Sequence, residues 1–351
     1  MASSGPGLDI IGGADPSVDE VTAFVPTDPA YREGASIWVW DDAGRWCFPR
    51  IGVEATGRSW TTSFETALCV AEPGSPLVLS FGDAAPLPVE DALGRPRVLG
   101  TEALRFECLE PFADWKVAAN GSAVVLDSWE YVTGGVPKPR AGSGHSEAVL
   151  RLELEAVMVA PPWFQGTRDP VGHQVAGELR FEQLAEVVGT VEVDGVVSSF
   201  RGGGLRIHRK GGDRSDYGEF HGHCWQSARF PSGRAFGFIH YRPGPDGAQR
   251  YHEGWVLDGG VVLPARAEGT PWMDSIASPG EDVSFTLRSA AGDVRIEACT
   301  HVSSFRPPRP TEQGTVFPLL HSGIARYRWG DEETFGMIER SSRLLPGVAP
   351  D

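Results

Sequence analysis

The sequence has few cysteines, and their positions exclude two common sulfur-based ways of stabilising a protein. The five cysteines are odd in number, far apart and never form a C-x-x-C pair: Cys47, Cys69, Cys108, Cys224 and Cys299. This spacing fits neither a disulfide framework nor a zinc knuckle. We therefore expect reduced thiols in a cytoplasmic protein.

Long apolar runs are also absent. No run of about 18 apolar residues, the length that spans a bilayer as a helix, occurs in the sequence. The first stretch, MASSGPGLDIIGGADPSVDE (1–20), lacks the basic start and apolar centre of a signal peptide. The sequence predicts no membrane span, and residues 1–20 are interpreted as a loose leader.

Basic residues are in deficit. The chain has 31 Lys and Arg against 47 Asp and Glu, which gives a formal net charge of -16. A field of this sign repels a phosphate backbone, so nucleic acid is excluded as a partner.

Nucleotide and redox-cofactor motifs are missing as well. The glycine run RGGGLR (201–206) lacks the strand–loop–helix setting and the Lys-Ser/Thr of a P-loop, so it predicts a tight turn or a bulge. No G-x-S-x-G elbow and no H-E-x-x-H pair occurs. We expect no cofactor.

The sequence pattern favours strands over helices. With 44 Gly and 28 Pro there is little room for long helices, and polar and apolar residues alternate through segments such as 36–42, 104–110, 148–160, 190–200 and 293–300. Even FEQLAEVVG (181–189) favours a strand, because it contains a Val pair and the strand-like TVEVDG follows it. The sequence predicts an all-β protein whose many short strands close into barrels or stack as sandwiches.

The length of 351 residues suggests two domains. A Pro- and Gly-rich break over 161–174 divides the chain, so we predict domains over 21–168 and 169–351. A second irregular stretch, 303–317, is interpreted as a surface loop or a segment across a barrel mouth.

Four stretches, in order, resemble a bacterial family related to carotenoid 1,2-hydratase (hydroxyneurosporene synthase). They are SIWVWDDAGRWCFPRIGVEA (36–55), LRFECLEPFADWKVAANGSA (104–123), GTVEVDGVVSSFRGGGLRIHRKGGDR (189–214) and ARYRWGDEETFGMIERSSRL (325–344). The resemblance implies two lipocalin-like antiparallel β-barrels in tandem. The wider superfamily also includes enzymes that guide cyclisations of polyketide and terpenoid chains, so the resemblance implies cyclisation as another possible activity.

The segment GLRIHRKGGDR (204–214) departs from the family pattern. Arg206 and His208 match it, but Ile207 stands where the resemblance places the Asp of an acid/base pair, and Lys210 replaces a Trp. Asp213 and Asp216 are candidate replacement carboxylates. Because of this departure, the resemblance supports the fold more than the hydratase activity.

A histidine-rich hairpin follows in EFHGHCWQSARFPSGRAFGFIHY (219–241). His221, His223 and Trp225 share one strand face. If PSG (231–233) is the turn, a one-residue choice of register places His240 on that face or points it away. The H-x-H pair permits a metal site, but the Glu that cupins place after it is missing, which favours an acid/base role or the wall of a pocket.

Other candidates surround this hairpin in the sequence. RYHEGWVLDGG (250–260) puts Tyr251, Glu253 and Trp255 on one strand face, and Glu253 can serve the hairpin if the strands are neighbours. Glu54 and Glu339 are interpreted as structural partners of arginines. The chain has 11 Trp, and aromatic side chains suit the cavity of a greasy substrate, for which we predict Trp40, Trp115, Trp225, Tyr241 and Tyr251.

The sequence as a whole predicts a cofactor-independent lyase or isomerase that hydrates, cyclises or rearranges a hydrophobic terpenoid- or polyketide-type molecule. The predicted catalytic residues are His208, His221, His223, His240, Glu253, Arg206 and Asp213. Two alternatives stay open: a lipocalin-like carrier without chemistry, and a metal-dependent barrel enzyme that uses the H-x-H pair. A homodimer is compatible with the sequence.

Overall fold

A computed structural model describes residues 9–22, 26–56, 61–72, 75–86, 98–100, 103–127, 144–166, 179–212, 220–248, 251–276, 279–310 and 316–343. Side chains are described in these ranges except at 56, 61–72, 75–86, 127, 309–310 and 316–317. Asp213 and Asp216 therefore lie outside the described residues. No helix in these ranges has the length and apolar character needed to cross a bilayer.

The all-β prediction is confirmed, and the segment 181–189 is a strand as expected. A short 3₁₀ helix, Pro16–Asp19, precedes the strands. Eleven strands form the first sheet: β1 Arg32–Asp41, β2 Trp46–Thr56, β3 Thr61–Glu72, β4 Ser75–Pro86, β5 Val98–Gly100, β6 Leu104–Glu110, β7 Asp114–Asp127, β8 Glu147–Met158, β9 Trp163–Phe164, β10 Leu179–Val193 and β11 Val196–Gly211.

The first sheet curls back on itself. Its strands follow the order β4-β3-β2-β1-β11-β10-β8-β7-β6-β5, and an added pairing of β4 with β7 joins the two arms. Strand β8 shows why the sheet encloses a core, because Leu150, Leu152 and Leu154 are buried and alternate with exposed charged residues. We call this unit the first barrel.

The remaining strands form the second barrel and a small ribbon. They are β12 Gly222–Arg229, β13 Ala235–Tyr241, β14 His252–Asp258, β15 Val261–Glu268, β16 Phe285–Ser289, β17 Gly292–Arg306, β18 Arg309–Pro310, β19 Val316–Phe317, β20 Leu319–Trp329 and β21 Glu332–Ser342. Eight of them close as β12-β13-β14-β15-β16-β17-β20-β21, whereas β18 pairs with β19. Residues 303–306, predicted as part of a loop, continue β17. The tandem-barrel prediction is confirmed.

The division between the barrels differs from the predicted one at residue 168. Strands β10 and β11 pair with β8 and β1, so residues 179–211 belong to the first sheet. The change of sheet falls between Gly211 and Gly222. The Pro-rich break at 161–174 misled the prediction because it interrupts the first barrel between two paired strands.

The prediction of a loose leader is wrong for the residues around Asp19. The Asp19 side chain is fully buried and bonds to residues of β11. Further along the segment, Thr22 N–H donates to both carboxylate oxygens of Glu33. These bonds fix the 3₁₀ helix against the first barrel.

An aromatic core cluster joins the outer faces of the two barrels, and we call it the seam. Strand β1 of the first barrel packs near β21 of the second. The seam residues from the first barrel include Trp38, Trp40, Trp163, Leu205 and Ile207, and those from the second include Phe220, Trp225, Ile239, Tyr241, Tyr251 and Trp255. Each barrel also has its own interior cluster.

Candidate functional site

Arg206 and His208 lie in the interior of the first barrel. Arg206 donates two hydrogen bonds to Asp19, at 2.7 and 2.9 Å, and His208 lies between Asp19 at 3.2 Å and Glu33 at 3.1 Å. The Arg206 guanidinium stacks 4.5 Å from the ring of Trp115, whose indole N–H donates to Asp19. All the hydrogen-bonding side chains of this cluster are buried.

The charges in this cluster are mutually compensated. Burial opposes the ionised form of Asp19, but the Arg206 charge and the His208 contact outweigh burial and lower the Asp19 pKa to about 2. Burial likewise opposes ionisation of Glu33, whose pKa is lowered because His208 outweighs it. The structure thus places Arg206, His208 and Trp115 in a closed network that fixes the N-terminal segment, away from the histidine hairpin.

The predicted hairpin is present, with its turn at 231–233 and one definite register. His223 pairs with Tyr241 and Cys224 pairs with His240, so His240 points to the opposite face from His223. His221 precedes β12 and is partly exposed. Of the two registers that the sequence allows, the structure adopts the one in which His240 points away. His223 packs against the seam residues Phe220 and Tyr241.

His240 lies on the face of β13 that points away from the seam. Its ring stacks on His252 with centroids 3.7 Å apart, and its Nδ1 lies 2.7 Å from the Thr270 hydroxyl. Burial, together with the charge of Arg266, lowers the pKa of His252 to about 4. At neutral pH this stack therefore contains a neutral His252.

His223 has a carboxylate partner, Glu339. Its Nε2 lies 3.0 Å from Glu339 Oε1 and its Nδ1 lies 2.6 Å from the Ser341 hydroxyl. Burial opposes the ionised form of Glu339, but the His223 contact outweighs it and lowers the pKa. Because both ring nitrogens of His223 are engaged, the arrangement holds the imidazole in place and gives it no open position for a metal ion or a substrate.

Glu253 lies on the strand next to the hairpin, as the sequence requires for its predicted role. Strand β14 pairs with β13, and Glu253 is opposite Ile239. Its Oε2 accepts hydrogen bonds from Gly166 N–H at 3.1 Å and from the Tyr251 hydroxyl at 2.9 Å. Its Oε1 is buried without a hydrogen-bond partner among the described residues. Burial, and then the Glu253 charge, raise the pKa of Tyr251, so Tyr251 is a neutral donor.

The residue that the sequence reasoning missed is Glu182 of β10. Phe181 and Gln183 point into the first barrel, so alternation turns Glu182 outward to the seam, where it is 2% exposed. Burial raises the Glu182 pKa to about 7, and the nearby Glu253 adds to the rise against the opposing charge of Arg180. Alternation in FEQLAEVVG (181–189) already places Glu182 on the outer face of the strand. In a protein of two barrels, part of such an outer face is covered by the other barrel.

The indole N–H groups of Trp225 and Trp255 both interact with the Glu182 carboxyl. Trp225 and Trp255 partly offset the rise in the Glu182 pKa, since their N–H groups favour the charged form. Neither indole nitrogen reaches a partner within hydrogen-bond geometry, and Glu182 Oε2 is also unbonded among the described residues. Buried polar atoms are normally satisfied, so this set indicates a place for water or a ligand.

A groove reaches this part of the seam from the surface. Its volume is about 290 Å³, and it is lined by Trp163, His252, Glu253, Gly254, Pro264, Ala265, Arg266, Arg288, Ser289 and Ala290. Trp163 connects the groove to the buried carboxyls, because it is opposite Glu182 in the β9–β10 pair and its ring lies 6.5 Å from that of Trp255.

The predicted aromatic residues divide between two places. Trp40, Trp225, Tyr241 and Tyr251 lie in the seam cluster. Trp115 lies inside the first barrel. Glu54, interpreted as an arginine partner, accepts a hydrogen bond from Arg32 at 2.6 Å. The four cysteines whose side chains are described are free thiols: Cys47, Cys108, Cys224 and Cys299.

A domain family described as "Domain of unknown function (DUF7064)" matches residues 16–343. No curated protein matches the sequence. Three solved structures have the same fold. CghA, solved with Sch210972, has a TM-score of 0.57 and 12% identity over 96% of this chain and 97% of CghA.

An AttH-like protein from Nitrosomonas europaea has a TM-score of 0.54 and 13% identity, covering 89% of this chain and 92% of its own. Kievitone hydratase from Nectria haematococca has a TM-score of 0.50 and 9% identity over 95% of both chains. These similarities show a common fold. The resemblance to carotenoid 1,2-hydratase stays a prediction.

Proposed function

We propose that this chain, which belongs to the DUF7064 family over residues 16–343, is a cofactor-independent lyase or isomerase that protonates a hydrophobic small molecule at the seam. The observation that carries the proposal is the pair of buried carboxyls with contrasting surroundings. Glu182 comes from the first barrel and Glu253 from the second. A neighbour in fold that is named kievitone hydratase supports hydration as one such reaction.

The surroundings assign the two carboxyls different roles. Glu182 is buried and is half protonated near neutral pH, as a general acid should be. Glu253 Oε2 accepts hydrogen bonds from Gly166 N–H and the Tyr251 hydroxyl, while its Oε1 has no partner among the described residues and is open to a proton donor. We therefore assign Glu182 as the acid and Glu253 as the base.

A hydration would proceed as follows. The Glu182 proton moves to one carbon of a C=C bond, while a water oxygen bonds to the other carbon and the water gives a proton to Glu253. Proton transfer from Glu253 through water to Glu182 restores both groups. Cyclisation or double-bond migration uses the same acid and base, with an internal nucleophile or a C–H proton in place of water.

The substrate would be largely apolar. Trp163, Trp225 and Trp255 surround the carboxyls, and aromatic faces stabilise positive charge that develops on carbon. The groove beside Trp163 is the proposed entrance. A terpenoid- or polyketide-type molecule, as the sequence predicts, matches these walls.

The test is proton delivery measured in D₂O. A panel of alkenes and conjugated carbonyl compounds is incubated with the protein, and mass spectrometry detects deuterium on carbon or the gain of one water. We expect Glu182→Gln to lower the rate about 10² to 10⁴-fold, the usual contribution of a positioned acid. Glu186→Gln is the matched control, because Glu186 is exposed on the same strand.

The carrier alternative makes the opposite prediction. A carrier would bind members of the panel while neither the wild type nor any variant incorporates deuterium. An unchanged rate in E182Q would show that Glu182 is a structural residue.

A further inference from the structure

Trp225 and Trp255 present two buried N–H donors that face the Glu182 carboxyl without a hydrogen bond of good geometry. The residues are 6% and 3% exposed, and neither Nε1 has a partner that meets hydrogen-bond geometry among the described residues. An indole N–H donates and does not accept. A buried donor that is left poorly paired is unfavourable, and a protonated Glu182 has less to offer it, so these atoms mark where the acceptor of a bound molecule fits.

The two rings are held in place by their neighbours. Trp255 lies over Gly237, where an added Cβ would be 2.7 Å from the indole Nε1. The Arg180 guanidinium lies 5.1 Å from the ring centre of Trp225, and the Trp38 ring packs edge-on with its centre 6.0 Å away. Both indoles also act on the Glu182 carboxyl, so the two donors and this carboxyl converge on one region. Donors fixed in this way require little reorganisation when charge develops on an oxygen.

We infer that the indole N–H groups of Trp225 and Trp255, together with the Glu182 carboxyl, bind the carbonyl oxygen of an α,β-unsaturated ketone. This inference rests on the proposed function and names the substrate class of that site. An isolated alkene offers no acceptor and leaves both N–H groups unsatisfied, whereas an enone oxygen accepts from them.

The reaction on an enone is balanced within these groups. Water oxygen bonds to the β-carbon and gives a proton to Glu253, the C=C electrons move toward the carbonyl, and the enolate oxygen takes the Glu182 proton. The resulting enol returns that proton to Glu182 as the protonated Glu253 delivers its proton to the α-carbon. The sum is addition of one water, with both carboxyls restored.

Binding of matched probes tests the inference without requiring turnover. trans-Chalcone carries the enone, and trans-1,3-diphenylpropene has the same two rings and no carbonyl. We expect wild-type protein to bind chalcone at least about ten-fold more tightly than the hydrocarbon, since the hydrocarbon leaves two donors unpaired.

Three variants separate hydrogen bonding from ring area. Trp225→Phe and Trp255→Phe each remove one N–H, and each should reduce the chalcone preference several-fold, whereas both probes lose ring contact alike. Trp329→Phe, in the interior cluster of the second barrel, should leave the preference unchanged. In isotope-edited infrared spectra, the ¹³C=O stretch of bound chalcone should lie below its value in an apolar solvent and rise in W225F and W255F.

Equal affinity for the two probes, failure of chalcone to bind, or a carbonyl stretch unaffected by both substitutions would overturn the inference. Failure of the proposed function looks different, because then either no protein incorporates deuterium or E182Q keeps the full wild-type rate, whichever probe binds better.

Discussion

Among single residues, Glu182 and Glu253 show how hydrogen bonds assign chemistry to identical side chains. Glu253 accepts two hydrogen bonds on one oxygen, whereas Glu182 lies near two indole N–H groups that form no hydrogen bond of good geometry with it. Burial is the main cause of the raised Glu182 pKa, and a raised pKa makes the stability of the fold depend on pH.

Glu182 should destabilise the fold as the pH rises. Its pKa is raised from 4.5 to about 7, so between these values the folded chain binds more protons than the unfolded chain, and stability falls with rising pH. The loss is about 3 kcal/mol above pH 8, from about 1.4 kcal/mol per pKa unit. Denaturant unfolding of E182Q between pH 5 and 8 should lack this slope, and E186Q should retain it. Parallel profiles for E182Q and wild type would contradict the assignment.

The pH dependence that Asp19 contributes should have the opposite sign and a somewhat smaller size, because its pKa departs less from the ordinary value than that of Glu182 does. Its pKa is lowered to about 2, so its stabilisation is complete above about pH 4 and is lost as the pH falls toward 2. Asp19→Asn leaves the buried Arg206 without a counter-charge, which costs about 3 to 5 kcal/mol. Chemical denaturation measures the loss. Asp28→Asn, at an exposed carboxylate, should change stability by less than about 1 kcal/mol.

At the scale of strands, a one-residue register decides which side chains meet. The period-two pattern predicts β6 at 104–110 and the hairpin turn at 231–233, and both are confirmed. Alternation alone does not choose between the two pairings of His223, because each leaves an alternating strand. The structure pairs it with Tyr241, which places His240 beside His252 instead of at the seam.

Glycines opposite tryptophans set the seam geometry and provide a matched pair of tests. An added Cβ would be 2.7 Å from Trp255 at Gly237 and 2.8 Å from Trp40 at Gly203. Both Gly237→Ala and Gly203→Ala should destabilise by about 1 to 3 kcal/mol, the cost of overpacking. G237A should also reduce the chalcone preference several-fold, because it moves the Trp255 N–H, whereas G203A should keep the preference. Full retention of the preference in both variants would place the donors to the carbonyl oxygen elsewhere.

On the scale of the whole molecule, the barrels share a core. The seam contains buried aromatic residues from both sheets, and a large hydrophobic interface couples the stability of two units. We expect one calorimetric transition in wild type and in D19N, with the temperature lowered for both barrels together. Separate transitions in D19N would show that the barrels unfold independently.

The candidate site was only partly predictable from sequence because it lies between the barrels. Glu253, Trp225 and Tyr251 were found because they share strand faces near a conspicuous hairpin. Glu182 was missed because the sequence does not show which strands of the first barrel have their outer face covered by the second barrel. Arg206 and His208 were misassigned because their partner Asp19 is far away in sequence, and local patterns contain no such pairing.

The change of sheet between Gly211 and Gly222 has a consequence for inheritance. It separates the codon of Glu182 from those of Glu253, Trp225 and Trp255. Recombination at this point would exchange whole barrels and preserve both interiors, yet it would pair an acid with a foreign base and foreign indoles. We expect such chimaeras to fold and to be inactive, unless both parents position the two carboxyls alike. Descent of this chemistry therefore requires the two barrels to be inherited together.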